Sequence, residues 1–229
     1  MGKKKAILFG ASEIADIVYH GMRNDPHCET EIAAFCVEQE YFCEEYKEGL
    51  PVVKFKEVEK IYSPDTFCFL VAIGYHGMNT VREQKCRMIA GKGYELVSFI
   101  DSRADVASSV KTGNNVCILK GAHVGPFSYI GNNVCIFAGA VVSHHTKVGD
   151  NVWISPGTVI AGNTTIGNNC FLGINSTIGN NIHIGNNNFL GANSLVTKDT
   201  TDDSVYIVPN TPKYKLSTSL FMKWSGFGL

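Results

Sequence analysis

Two adjacent histidines, His144 and His145, sit in the stretch Val-Ser-His-His-Thr-Lys-Val-Gly-Asp, residues 142–150. A neutral imidazole, with a reference pKa of about 6.5, accepts a proton from a nucleophile as that nucleophile attacks. Eighteen residues beyond His144 stands Gly162, whose backbone N–H is a candidate donor to an oxygen gaining negative charge. General-base catalysis with oxyanion stabilisation is the chemistry this set supports. His145 has two open readings, a partner that orients His144 or a bystander. The eight cysteines contain no C-x-x-C pair, so structural zinc is not expected. A zinc hydratase needs three histidines converging on one metal, and only these two are neighbours.

The elements that must carry these residues follow from a repeat. From Val106, stepping by six to Val196, 15 of 16 positions are Val, Ile or Leu, the exception being Thr112, and the register never slips. An unbroken six-residue period is the signature of a β-solenoid. Three hexapeptides close one triangular coil, so residues 18 apart stack. One corner reads Gly-Asn-Asn or Gly-Asp-Asn, from Gly113 to Gly185, and needs only turn geometry to explain it. A second carries Gly173 and Ala192. The third runs through Gly125-Pro126-Phe127, Ser143-His144-His145, Ala161-Gly162-Asn163, Gly179-Asn180-Asn181 and Thr197-Lys198-Asp199. Corner geometry does not call for histidine, so here the sequence departs from its own structural rule. No cysteine falls on this corner, which argues against an acyl-enzyme. A non-catalytic scaffold would show plain turn residues at all three corners.

Before residue 101 the pattern differs. Apolar strands (Lys5–Gly10, Ile32–Val37, Pro51–Phe55, Phe67–Gly74, Leu96–Ile100) alternate with helical stretches (Glu13–Met22, Lys56–Tyr62, Asn79–Ala90). This predicts a small Rossmann-like parallel sheet with crossover helices. Ligands of such sheets lie beyond the carboxyl ends of the strands, here Gly10-Ala11-Ser12, Val37-Glu38 and Gly74-Tyr75-His76. The expected organisation is an α/β domain over 1–102, an all-β solenoid over 103–207 and a C-terminal tail over 208–229.

The whole chain has 229 residues, 45% hydrophobic and 18% charged, enough apolar side chain to close a core. Lys plus Arg number 20 against 21 Asp plus Glu, so the basic excess of a nucleic-acid binder is missing. No apolar run reaches the about 18 residues of a membrane span. The basic start, Met-Gly-Lys-Lys-Lys, precedes only a short apolar strand, and Ala6 is not the Ser or Thr of a myristoylation signal. Together with the unpaired cysteines this predicts a cytoplasmic protein, with neither nucleic acid nor membrane as partner.

A short α/β domain followed by hexapeptide repeats, with the histidine motif at 142–150, resembles the bacterial sugar acyltransferases of the PglD-like and NeuD-like family. Ile7-Leu8-Phe9-Gly10-Ala11, Val71-Ala72-Ile73-Gly74, Ala161-Gly162-Asn163 and Asn169-Cys170-Phe171-Leu172-Gly173 also carry the resemblance. It implies a left-handed β-helix, a homotrimer with active sites between subunits, and acetyl-CoA as donor without a metal. The implied activity is N-acetylation of a nucleotide-linked amino-deoxysugar (UDP, dTDP or GDP) for lipopolysaccharide, capsule or another surface glycan. O-acetylation of a sugar hydroxyl, as on sialic acid, is the alternative.

On this resemblance His144 is the general base in a direct transfer and His145 its catalytic neighbour, where relatives often carry an acidic residue. Ala161, Gly162, Gly173, Ala192, Lys198 and Lys213 are expected to contact acetyl-CoA, with Lys213 in the closing turn Val208–Lys213. Gly10, Ala11, Ser12, Glu38, Gly74, Tyr75, Asn79 and Arg82 are expected at the nucleotide sugar. Ser12-Glu13-Ile14 stands where many relatives have Gly-Gly-His. Glu38 reads as a ribose or base contact or as a solvated charge, and Arg82 as a diphosphate partner or an exposed helical residue. Trp153 either walls the acetyl group or packs at the subunit boundary. His123 and His183 are read as structural, and the apolar tail Tyr214–Leu229 as a segment that packs on a neighbouring subunit or stays free.

Overall fold

The computed structural model describes residues 4–226. The start of the basic N-terminal motif, residues 1–3, and the end of the tail, residues 227–229, lie outside the described residues. Strands β1 (Lys4–Phe9), β2 (Thr30–Val37), β3 (Tyr46–Lys47), β4 (Leu50–Lys54) and β5 (Cys68–Val71) form a sheet in the order β3-β4-β2-β1-β5. All neighbours are parallel except β3, which pairs antiparallel with β4. Sequence reading missed this hairpin. Its signal is Glu48-Gly49, both at positive φ (53° and 78°), the conformation a two-residue hairpin turn needs.

Helices α1 (Glu13–Arg23), α2 (Val58–Ile61) and α3 (Thr80–Gly91) complete the α/β part. Central β1 is apolar on both sides, as a strand covered on both faces must be. Ile7 and Phe9 pack towards Phe69, Cys86 and Ile89, whereas Ala6 and Leu8 pack with Val18, Phe35 and residues of the repeat. Two strand expectations change. The strand predicted to Gly74 stops at Val71. Leu96 makes only an isolated bridge to Phe69, while Phe99–Ile100 pairs with Cys117–Ile118 and so forms the first rung of the repeat.

From there two-residue strands recur at the hexapeptide period to Leu195–Val196, and each pairs in parallel with the strand one coil on. The result is a left-handed β-helix of three stacked sheets. The stepped aliphatics, from Val124 to Val196, fill its interior. The last pairing, Phe189 with Val205, falls short of the regular step, so the closing coil is slightly tighter than the others.

Three outward columns show what each face does. On the first face Phe99, Cys117, Cys135, Trp153 and Phe171 are all buried, because the α/β domain covers them. The second bears Asp105, His123, Val141, Val159, Thr177 and Leu195, with Val159 and Leu195 exposed by 37% and 69%. The third, with Lys111, Tyr129, Lys147, Thr165 and His183, is polar. The final residue of every corner from Asn115 to Asn193 has positive φ. The corner glycines beginning Gly113 have another reason to be small. A Cβ on Gly131 would fall 2.5 Å from Asp150 Oδ1 of the next coil.

Candidate active site

His144 and His145 occupy the corner between the second and third faces, and both are exposed. The imidazole of His144 lies over Gly162, one coil above. A Cβ added at Gly162 would come within 2.5 Å of His144 Cε1 and 2.7 Å of Nε2. Glycine is therefore what lets the ring rest there. His144 Nδ1 meets His145 Nδ1 at 3.2 Å, and the two rings stand edge to face, 82° apart. Phe127, one coil below His145, packs its ring 4.9 Å from that imidazole.

Gly162 itself is buried, with the His144 ring lying against it. At the asparagine corner the middle N–H is taken by a side chain from the coil above, as Asn114 N–H is by Asn132 Oδ1 at 3.0 Å and Asn132 N–H by Asp150 Oδ1 at 2.7 Å. The histidine corner has no such ladder, and among the described residues Gly162 N–H donates to no protein acceptor. This edge thus combines a solvent-facing imidazole and a free backbone donor one coil apart, a spacing of about 4.8 Å.

Of the residues expected at the acyl donor, Ala161, Gly162 and Lys198 share the edge of His144, Lys198 lying two coils above Gly162. Gly173 and Ala192 lie on a different corner, across the second face, so one chain does not bring them to the histidine. Lys213 is exposed in the segment after the last strand. Gly10, Ala11 and Ser12 link β1 to the amino end of α1, and the Ser12 side chain caps no helix N–H. Gly10, with φ 124°, is held against Ala72, whose carbonyl oxygen would lie 2.5 Å from a Cβ. A concavity of about 510 Å³ between Tyr19, Arg23, Thr30, Ile32 and Glu48 lies at the amino ends of the strands, away from these loops.

Two expectations for the sugar-binding set, at Arg82 and Asn79, are corrected, and one of the two readings of Glu38 is removed. Arg82 is fully buried, neither exposed nor open to a diphosphate. It donates to Asn133 Oδ1 (2.9 Å), Asn133 O (3.0 Å), Asn79 Oδ1 (3.0 Å) and Gly74 O (3.3 Å), and lies over the Trp153 ring. Asn79 is equally buried and donates to Cys170 O at 3.2 Å. Both residues join the two domains. Glu38 is ion-paired with Lys85 at 2.5 Å, so it is not a free solvated charge. Tyr75 remains half-exposed, its ring on Trp153 and Phe171.

Trp153 also departs from both its readings, because it is buried under its own α/β domain. Sequence reasoning missed this joint, although a signal was present: stepping coil by coil along one face gives Phe99, Cys117, Cys135, Trp153, Phe171 and Phe189. Asn115, Asn133 and Asn169 extend the joint from the corner, Asn115 accepting from Val71 N–H at 2.7 Å. Burial pushes the Cys86 thiol beside it up to about 12. His123 pairs with Asp105 at 2.8 Å on the second face. Among the described residues no group of three or more His, Cys, Asp or Glu is placed to hold a metal ion. None of the described helices is long and apolar enough to cross a membrane.

Fold and edge together are similar to those of hexapeptide-repeat sugar acyltransferases. The bacterial transferase hexapeptide (six repeats) family matches residues 145–173 and 163–198. No curated protein matches the sequence. The structure is similar to PerB, the GDP-perosamine N-acetyltransferase of Caulobacter crescentus solved with CoA and GDP-perosamine, at 26% identity and TM-score 0.78, over 88% of this chain and 92% of that one. It is similar in fold to the acetyltransferase domain of PglB from Neisseria gonorrhoeae, at 24% identity and TM-score 0.78, over 89% and 96%. WeeI from Acinetobacter baumannii shares the fold at 16% identity and TM-score 0.55, over 87% and 94%.

Proposed function

We propose that the protein transfers an acetyl group from acetyl-CoA to the amine of a nucleotide-linked amino-deoxysugar, with His144 as general base. The observation that carries this is the His144 imidazole seated over Gly162, whose N–H donates to no protein acceptor among the described residues. The similarity to PerB, solved with CoA and GDP-perosamine, supports the class of both substrates. Acetyl-CoA supplies a thioester, an acyl group already activated towards an amine. Nε2 of His144 takes the proton released as the C–N bond forms, and returns it to the thiolate that departs as the C–S bond breaks. The Gly162 N–H stands where it can donate to the carbonyl oxygen as that oxygen gains charge. Eight free cysteines fit a reducing, cytoplasmic setting.

The site is completed by further copies of the chain. The histidine corner is the vertex opposite the face covered by the chain's own α/β domain, so its sugar-binding loops and His144 look away from each other. An N-terminal domain of one subunit facing the histidine edge of the next resolves this. It also sets Gly173 and Ala192 of one subunit across a cleft from His144 of another. A homotrimer closed through the second faces supplies that arrangement and covers Val159 and Leu195.

The test is thiol release from acetyl-CoA over a panel of UDP-, dTDP- and GDP-linked aminosugars and sialic acid. Cys43 is the one exposed cysteine among the described residues, so the protein's own background is small. Turnover on an aminosugar that falls by about 10²-fold or more in His144→Ala is expected. Turnover on sialic acid alone replaces the amine by a hydroxyl, and equal rates in both proteins remove His144 from the mechanism.

A further inference from the structure

Two corner residues break the rule that the others keep. From Asn115 to Asn193 the left-handed position at the end of each corner is Asn or Gly, except at Phe127 (φ 62°) and His145 (φ 57°). An aromatic side chain is strained there. These two positions are one coil apart, so they stack, and their rings pack at 4.9 Å. The strain is thus concentrated at the residue whose Nδ1 meets the Nδ1 of His144 at 3.2 Å. Asn163 and Asn181, in the next two coils of the same corner, show that the turn itself does not require a ring.

An Nδ1-to-Nδ1 hydrogen bond holds one proton. With two, both nitrogens are donors; with none, both are acceptors. Of the two one-proton arrangements, only the one with the proton on His144 Nδ1 leaves the lone pair of His144 on Nε2. We propose that His145 is a positioning residue that accepts the His144 Nδ1–H, and that Phe127 holds the His145 ring in place to do so. This rests on His144 being the base. A neutral imidazole then does what a carboxylate orienter would do, without adding a negative charge to the site.

No carboxylate competes for the role on the coils packed directly against the pair. Residues 125–131, 143–149 and 161–167 hold, besides the two histidines, only Tyr129 and Lys147 as ionisable side chains. On the adjoining strands are His123, paired with Asp105, and Lys111. The bond therefore needs a lone pair on His145 Nδ1, and it persists when His144 Nε2 takes the proton of the nucleophile.

Ring-nitrogen ¹⁵N spectra of the full-length protein read the tautomer directly, with His144→Ala to assign the signals. In the wild type at neutral pH, His144 is expected as the Nδ1–H tautomer. In His145→Gly, which suits the left-handed backbone, His144 should shift to the Nε2–H form, and Phe127→Asn should give a mixture. With a turned-over acceptor, His145→Gly should lower kcat at least tenfold with KM within twofold. A wild-type Nε2–H tautomer, or a tautomer indifferent to His145→Gly, overturns the proposal. The spectra need no acceptor, so this failure is distinct from that of the His144 reading, which the His144→Ala rate decides alone.

Discussion

At the scale of the residue, the site depends on what is missing from Gly162. Space for the imidazole exists only because no Cβ stands there. Gly162→Ala would press on His144 Cε1 and Nε2 at 2.5 and 2.7 Å, and the ring, being exposed, would swing away. Its φ is not in the left-handed region, so the backbone tolerates alanine. The expected outcome is kcat lower by at least about tenfold, with the thermal midpoint within a few degrees of wild type. Steady-state kinetics and a melting curve check this together. The histidine pair and Gly162 were legible in the sequence because a solenoid converts spacing into proximity: a step of three hexapeptides along the chain is one storey in space. Arg82 was not legible. Its partners Asn133 and Trp153 are distant in the chain, and one helical Arg looks like any other until a second domain closes over it.

At the scale of elements, the repeat was readable strand by strand, because each hexapeptide obeys the same local rule. The α/β domain was readable in its strands and helices but not at its edges. Glu48-Gly49 turned an expected single extended piece into a hairpin, and Phe99–Ile100 joined the repeat because its pairing partner lies there. The joint between the domains is polar as well as aromatic. Asp25, after α1, accepts Ser102 N–H at 2.8 Å, Ser102 Oγ–H at 2.6 Å and His27 N–H at 3.0 Å. Burial alone would raise the Asp25 carboxyl, but the bonds from Ser102 and His27 outweigh it and hold it below its ordinary value. A depressed folded value stabilises the protein above the unfolded pKa of about 3.9, and that stability is lost as pH falls through the folded value. Asp25→Asn should therefore be less stable near pH 7 by about 1–3 kcal/mol. Its melting temperature should also fall less steeply than that of the wild type between about pH 5 and 3. Thermal unfolding across that range measures both.

At the scale of the whole molecule, the proposed sugar-binding loops and the histidine corner lie on opposite sides of one chain's repeat, so the proposed site needs a second copy. The exposed apolar residues on the second face, Val159 and Leu195, lie on the surface that a trimer would close. Sedimentation equilibrium should give three times the mass of a single chain. Leu195→Lys should shift that mass towards the monomer and lose acetyl transfer, although position 195 touches neither histidine. A monomer that retains full turnover would show that one chain suffices. A trimer is not legible from the repeat alone, because the inward positions that define the period say nothing of the outward ones.

The uninterrupted register has a consequence for how such a molecule can change length. Three hexapeptides inserted between Val110 and Pro126 would add one storey and leave every vertical edge in line. A single hexapeptide would turn everything beyond the insertion through a third of a revolution, carrying the histidines to the next vertex while the N-terminal domain stayed where it was. Length in this domain is therefore quantised, and viable insertions or deletions below the histidine pair come in whole storeys.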